Sequence, residues 1–168
     1  MFELKPIAKE NIAPALQKAE RYRIIGDPSS AESICLDVLQ VDPENQEALV
    51  TLLLAITDQF AEGPTEGVHR AQELLPRLHD GYKRAYYAGI ISERCGKAQL
   101  RRGTPGSGEL AYDWFRQAMS WYEQAEAHRP AGNDEAILRW NTCVRILARS
   151  GLSGPRTEEP VEPLVQSE

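Results

Sequence analysis

Apolar residues along this chain recur at intervals of three and four, as they do on helices with one buried face, and the recurrence restarts seven times. Ile12, Ala15, Leu16, Ala19 and Tyr22 form the first stripe, between Asn11, a capping residue type, and Gly26, a terminator. Pro14 is tolerated there because first-turn backbone donors have no partner to lose. Ser29-x-x-Glu32 has the form of a capping box opening a second helix through Ile34, Cys35, Val38 and Leu39, which Asp42-Pro43 closes. Asn45 caps a third helix with Ala48, Leu49, Leu52, Leu53, Ile56 and Phe60 on one face. Gly63-Pro64-Thr65 reads as a turn, with Thr65 capping a fourth helix that turns Val68, Ala71, Leu74, Leu75 and Leu78 inward.

After a break at Asp80-Gly81, a fifth helix is predicted from about Tyr82 to Arg102. An interior glycine costs up to ~1 kcal/mol against alanine, so Gly89 and Gly96 imply close packing against a neighbour, or, at Gly96, a break after Arg94. Gly103 to Gly108 reads as a flexible loop. A sixth helix, about Glu109 to His128, follows with Trp114, Phe115, Ala118, Tyr122 and Ala125 inward. Pro130 and Gly132 end it. Asn133 caps a seventh helix with Ile137, Trp140, Val144 and Leu147 inward, and Asp134, Arg139, Arg145 and Arg149 toward water. After Ser150 the pattern stops. Residues 151–168 carry Glu158, Glu159, Glu162 and Glu168 against Arg156, with Pro155, Pro160 and Pro163, and are expected to be a disordered tail. The reading is one all-α domain over 1–150, large enough among the 168 residues to bury a core without staples.

Two of the junctions match each other. One runs Pro43-Glu44-Asn45-Gln46-Glu47-Ala48-Leu49-Val50, and the other Pro130-Ala131-Gly132-Asn133-Asp134-Glu135-Ala136-Ile137-Leu138. Apart from one extra loop residue, each has proline, an asparagine cap, an acidic first turn, then alanine and two aliphatics. Ala19, Ala31, Val38 and Pro43, and later Gly89, Gly96, Ala118, Ala125 and Pro130, stand where paired helices need small residues and a stop. The set resembles the tetratricopeptide repeat family, whose unit is about 34 residues folded as two antiparallel helices. The resemblance covers residues 10 to 150, with insertions near Gly63 and at the glycine-rich loop.

It implies a right-handed helical-hairpin solenoid of about seven helices: three degenerate repeats and a capping helix. It also implies a concave groove lined by the first helix of each pair, here Leu16, Glu20, Arg23, Val50, Leu54, Thr57, Tyr86, Ile90, Glu93 and Arg94. Some members grip a C-terminal carboxylate with basic or amide residues. The equivalent positions here are Ala13, Gln17, Glu47, Thr51, Lys83 and Tyr87, of which only Lys83 fits.

A net charge of -6 repels a phosphate backbone overall, which argues against general nucleic-acid binding. The local exception is a basic stripe on the fifth helix: Lys83, Tyr87, Arg94, Lys97 and Arg101, with Arg102 beside them. Cys35, Cys95 and Cys143 lie among apolar residues and read as small hydrophobes. No apolar run approaches the ~20 residues of a membrane span, and Met1 to Pro6 lack the order of a signal peptide, so a cytoplasmic protein is expected. Glu66-x-x-His69 with Glu73 has carboxylate–imidazole spacing but no second Glu-x-x-His, so no metal or cofactor is expected. No GxSxG, HExxH or GxxxxGK motif is present. The functional expectation is a non-catalytic adaptor or chaperone-like module that binds a protein or peptide. The alternative is a small helical enzyme or ligand sensor with a pocket under residues 103–108, lined by Tyr112, Trp114 and Tyr122.

Overall fold

The computed structural model describes residues 2–61, 64–152 and 154. Among them are seven α-helices and no strand: α1 (Ile12–Ile24), α2 (Pro28–Val41), α3 (Gln46–Asp58), α4 (Pro64–Leu74), α5 (Gly81–Arg102), α6 (Ser107–Ala127) and α7 (Glu135–Ser150). Single 3-10 turns, Lys9–Asn11 and Leu75–Arg77, precede α1 and follow α4.

The helix ends follow local hydrogen-bond chemistry, with some changes from the sequence expectation. Asn11 belongs to the 3-10 turn, and its side chain caps nothing. Asp27, rather than Ser29, caps α2: its carboxylate accepts the Ser30 N–H at 3.1 Å and both serine hydroxyls, while Pro28 takes the first helical position. Asn45 caps α3 as expected, accepting the Ala48 N–H at 2.9 Å. Gly63 lies outside the described residues, and α4 begins at Pro64, which places Thr65 in its first turn. The glycine-rich stretch is a turn over residues 103–106, shorter than the loop expected through Gly108. Gly103 and Gly106 adopt left-handed φ of 59° and 80°, and Ser107 already opens α6. Asn133 accepts the Glu135 N–H at 3.0 Å at the start of α7.

Each helix packs on its neighbours in the chain, and α1 also touches α3, as α3 touches α5. Two apolar clusters result. The first joins α1 to α4 with Ile91, Cys95 and Ala98 of α5, and the second joins Tyr82, Tyr86 and Ile90 of α5 with α6 and α7. Helix α5 is thus a shared wall, unbroken through both glycines. A Cβ on Gly89 would fall 2.6 Å from Cδ1 of Tyr122, and one on Gly96 would fall 3.0 Å from the Phe115 ring. The aromatics of α6 rest directly on the α5 backbone.

Helix α7 is rotated from its expected orientation. Ala136 and Cys143 form its buried line, Ile137, Trp140 and Leu147 are half-buried, and Val144 is exposed. Arg139, expected in water, turns toward α5. The ordered chain also passes Ser150: the Leu152 N–H donates to Leu147 at 3.2 Å and its side chain packs on the second cluster. Residues 153 and 155–168 of the expected tail lie outside the described residues. Among the described residues no helix is long and apolar enough to cross a membrane.

Candidate functional site

The odd-numbered helices are joined by a chain of polar contacts that apolar packing alone does not require. On α1, Glu20 accepts the Thr51 hydroxyl of α3 at 3.0 Å, and Arg23 Nε donates to Asp58 of α3 at 2.9 Å. Arg94 of α5 reaches back to the C-terminal end of α3. Its Nη1 donates to Leu54 O at 3.1 Å and Thr57 Oγ1 at 2.6 Å, and it pairs with the second oxygen of Asp58. Two guanidiniums from different helices therefore bracket one carboxylate. Burial pulls Arg94 below the ordinary guanidinium value, with Asp58 acting against that pull.

The residue just before Arg94 on α5, Glu93, is 1% exposed. A carboxylate that deep must be paired and hydrogen-bonded to stay charged. The Tyr122 hydroxyl of α6 donates to it at 2.7 Å, Lys97 of α5 pairs with it, and Arg139 Nη1 of α7 lies 3.4 Å away. Burial, then the Glu93 charge, push the Tyr122 phenol well above its ordinary value. Arg139 is held above the guanidinium norm: burial opposes its charge, but the Tyr86 hydroxyl and Glu93 outweigh that. Every buried side-chain polar atom among the described residues has a partner.

Between α3, α5 and α7 these residues surround a cavity of about 220 Å³. Its wall carries Arg94, Lys97, Arg101 and Arg139 against Asp58, with Thr57, Phe60, Ala61 and Ala98 completing it. A larger, mainly apolar hollow of about 750 Å³ lies across α5 and α6, with Trp121, Ala85, Ala88 and Leu75 on its wall.

The ten residues expected in a groove divide evenly. Glu20, Arg23, Val50, Leu54 and Arg94 are half-buried and accessible. Leu16 and Ile90 are core, Tyr86 is buried against Tyr82 and Tyr87, and Thr57 and Glu93 are buried polar struts. Leu16, Tyr86, Ile90 and Glu93 are closed off from a partner, and Thr57 shows only an edge to the cavity. The basic stripe divides too. Lys83 and Lys97 stand 14 residues apart on one helix, about 21 Å along its axis. Lys97 and Arg101 line the cavity, Lys83 is exposed at the other end, and Tyr87 packs on both clusters, where burial pushes its hydroxyl up to about 12.

Asp58 and Arg139 were missed as site residues, and Tyr122 was expected in a different pocket. A signal for Arg139 existed: aligning Ala136 with Ala48 sets Arg139 in register with Thr51, the α3 residue that donates to a glutamate on the preceding odd helix. Among the described residues, the three aromatics of the alternative pocket do not share one cavity. Tyr122 is buried on Gly89, Trp114 packs on the first cluster beside a hollow with Leu110, Asp113 and Gln117, and Tyr112 lies against Gly154. All three cysteines are buried, which pushes each thiol up to about 12 and keeps it protonated.

The described residues form an all-helical protein in which a row of polar contacts links the odd-numbered helices. Comparison with protein-family models, with curated proteins and with solved structures found no match.

Proposed function

We propose that this chain is a helical-hairpin array of the tetratricopeptide kind, acting as a non-catalytic adaptor or chaperone-like module that holds a peptide segment along α1, α3, α5 and α7. The observation that carries this reading is the row of half-buried polar and apolar side chains those four helices share. Glu20, Arg23, Val50, Leu54 and Arg94 continue through Lys97 to Arg139, crossing helix boundaries by hydrogen bonds. Packing of each helix on its chain neighbours, with α1 on α3 and α3 on α5, supports a layered array. Mixed apolar anchors and fixed charges suit an extended or helical segment, where the anchors supply affinity and the charges supply register.

Selection of a random peptide library on the full chain tests the reading. Leu54→Lys introduces a charge at a half-buried position where a lysine stem can still lie along apolar surface. Enriched peptides should bind that variant at least about tenfold more weakly, a loss of ~1.4 kcal/mol. They should bind Leu138→Lys, on the exposed side of α7, as they bind the wild type. Failure to enrich any peptide, or equal binding to Leu54→Lys, overturns the groove.

A further inference from the structure

The cavity between α3, α5 and α7 has a charge balance unlike the rest of this acidic protein. Arg94, Lys97, Arg101 and Arg139 line it, and only Asp58 at its wall and Glu93 beneath it oppose them, so four cations face two carboxylates. Much of the donor capacity is also unspent. The hydrogen bonds of Arg94 to described residues all run through Nη1, and Arg101 makes no ion pair with a described residue. The remaining donors of Arg94 sit in a partly desolvated wall, where burial already works against the positive charge. An incoming anion there relieves an existing cost, and each charge-assisted bond it accepts is of the strong kind.

The helix ends select the type of anion. Asp58 closes α3 and Arg101 lies in the last turn of α5, so the partly negative ends of both helices flank the cavity, while Arg139 stands in the second turn of α7. Phosphate sites are built on helix N-termini, where backbone N–H groups converge. A dianion here would meet two helix C-termini and two carboxylates. A singly charged carboxylate meets the same guanidinium forks at half that repulsion, and Asp58 already shows such a group held between two arginines.

We propose that this cavity is a specificity pocket that takes the carboxylate of an aspartate or glutamate side chain from a bound peptide, gripped by Arg94, Arg101 and Arg139. This rests on the groove reading and adds the chemistry of one of its subsites.

The test is a titration of the ¹⁵N-labelled full chain with N-acetyl-Glu-Glu-amide at low salt, following the arginine Nε–H resonances. Saturable shifts at Arg94, Arg101 and Arg139 are expected, absent with N-acetyl-Gln-Gln-amide and suppressed at high salt. Arg101→Gln alters an exposed side chain, so it should keep the wild-type melting temperature while weakening the dipeptide about tenfold. The proposal is overturned if those arginines do not shift, if the glutamine dipeptide shifts them equally, if Arg101→Gln binds as the wild type does, or if N-acetyl-phosphoserine-amide binds more tightly than the glutamate dipeptide. The dipeptide reaches only the cavity, which separates the two readings. Silent arginines alongside library peptides that still depend on Leu54 remove the pocket and keep the groove. A positive titration with no Leu54 dependence does the reverse.

Discussion

Replacing Gly89 with alanine sets two rules of protein energetics against each other. By helix propensity alone, alanine in the middle of α5 should stabilise the protein by up to ~1 kcal/mol. Packing predicts the opposite. The new Cβ would lie 2.6 Å from Cδ1 and 2.9 Å from Cζ of Tyr122, a ring only 1% exposed. The ring cannot retreat freely, because its hydroxyl is held at 2.7 Å by Glu93 from the same helix as Gly89. Overpacking a dense core costs ~1–3 kcal/mol, and weakening a hydrogen bond to a buried charge costs ~1.5–3 kcal/mol. After subtracting the propensity gain, a net loss of about 1.5–5 kcal/mol is expected. At ~2–4 °C per kcal/mol for a domain of this size, the melting temperature should fall by about 3–20 °C. Differential scanning calorimetry and urea titration read this directly. A double-mutant cycle with Tyr122→Leu isolates the steric part, because Gly89→Ala should cost much less once the ring is gone. Gly96→Ala, with its Cβ 3.0 Å from Phe115, should be milder. A Gly89→Ala protein as stable as the wild type, or more stable, would falsify the close approach of α5 and α6.

Glu93→Gln keeps the shape but removes the charge that Lys97, Arg139 and Tyr122 share; since both cations can turn partly to water, urea titration should show a loss of only ~1–3 kcal/mol. The thiols of Cys35, Cys95 and Cys143 are pushed from about 9.0 to about 12 in the fold, so they should resist a thiol reagent at neutral pH and react promptly in denaturant. The same shifts carry a sign: above pH 9 the unfolded chain releases thiol protons that the folded chain retains, so their contribution to stability is intact below pH 9 and falls between pH 9 and 12. Trp140 is half-buried, with its Nε1 on Glu123 at 3.2 Å, so Trp140→Ala should cost about 1–2 kcal/mol by chemical denaturation, less than the ~3–5 kcal/mol of a fully buried tryptophan. Truncation after Gly154 should leave the melting temperature nearly unchanged, whereas removal of α7 from Asn133 onward bares Tyr82, Tyr86 and Tyr122 and should give an aggregating product by light scattering.

What the sequence determined by itself was local. Seven apolar stripes became seven helices, Asn45 capped α3, and Gly89 with Gly96 announced a neighbour pressed against α5 before that neighbour was visible. Those features depend on residues a few positions apart, where helical geometry sets who can touch whom. Even the errors were local competitions, such as Asp27 with Pro28 displacing Ser29 as the α2 cap, because a carboxylate there accepts two hydroxyls as well as a backbone N–H. The candidate site needed the tertiary structure. Its decisive pairs join residues 35, 36 and 46 apart in the chain: Arg23 with Asp58, Arg94 with Asp58, and Arg139 with Glu93. Periodicity shows that a helix has a buried face, but the rotation of that helix about its axis is set by its neighbours' side chains. A modest rotation of α7 therefore brought Arg139, still partly exposed, within 3.4 Å of a buried carboxylate. The same packing closed over Leu16 and Ile90, which sequence register alone had left in the groove.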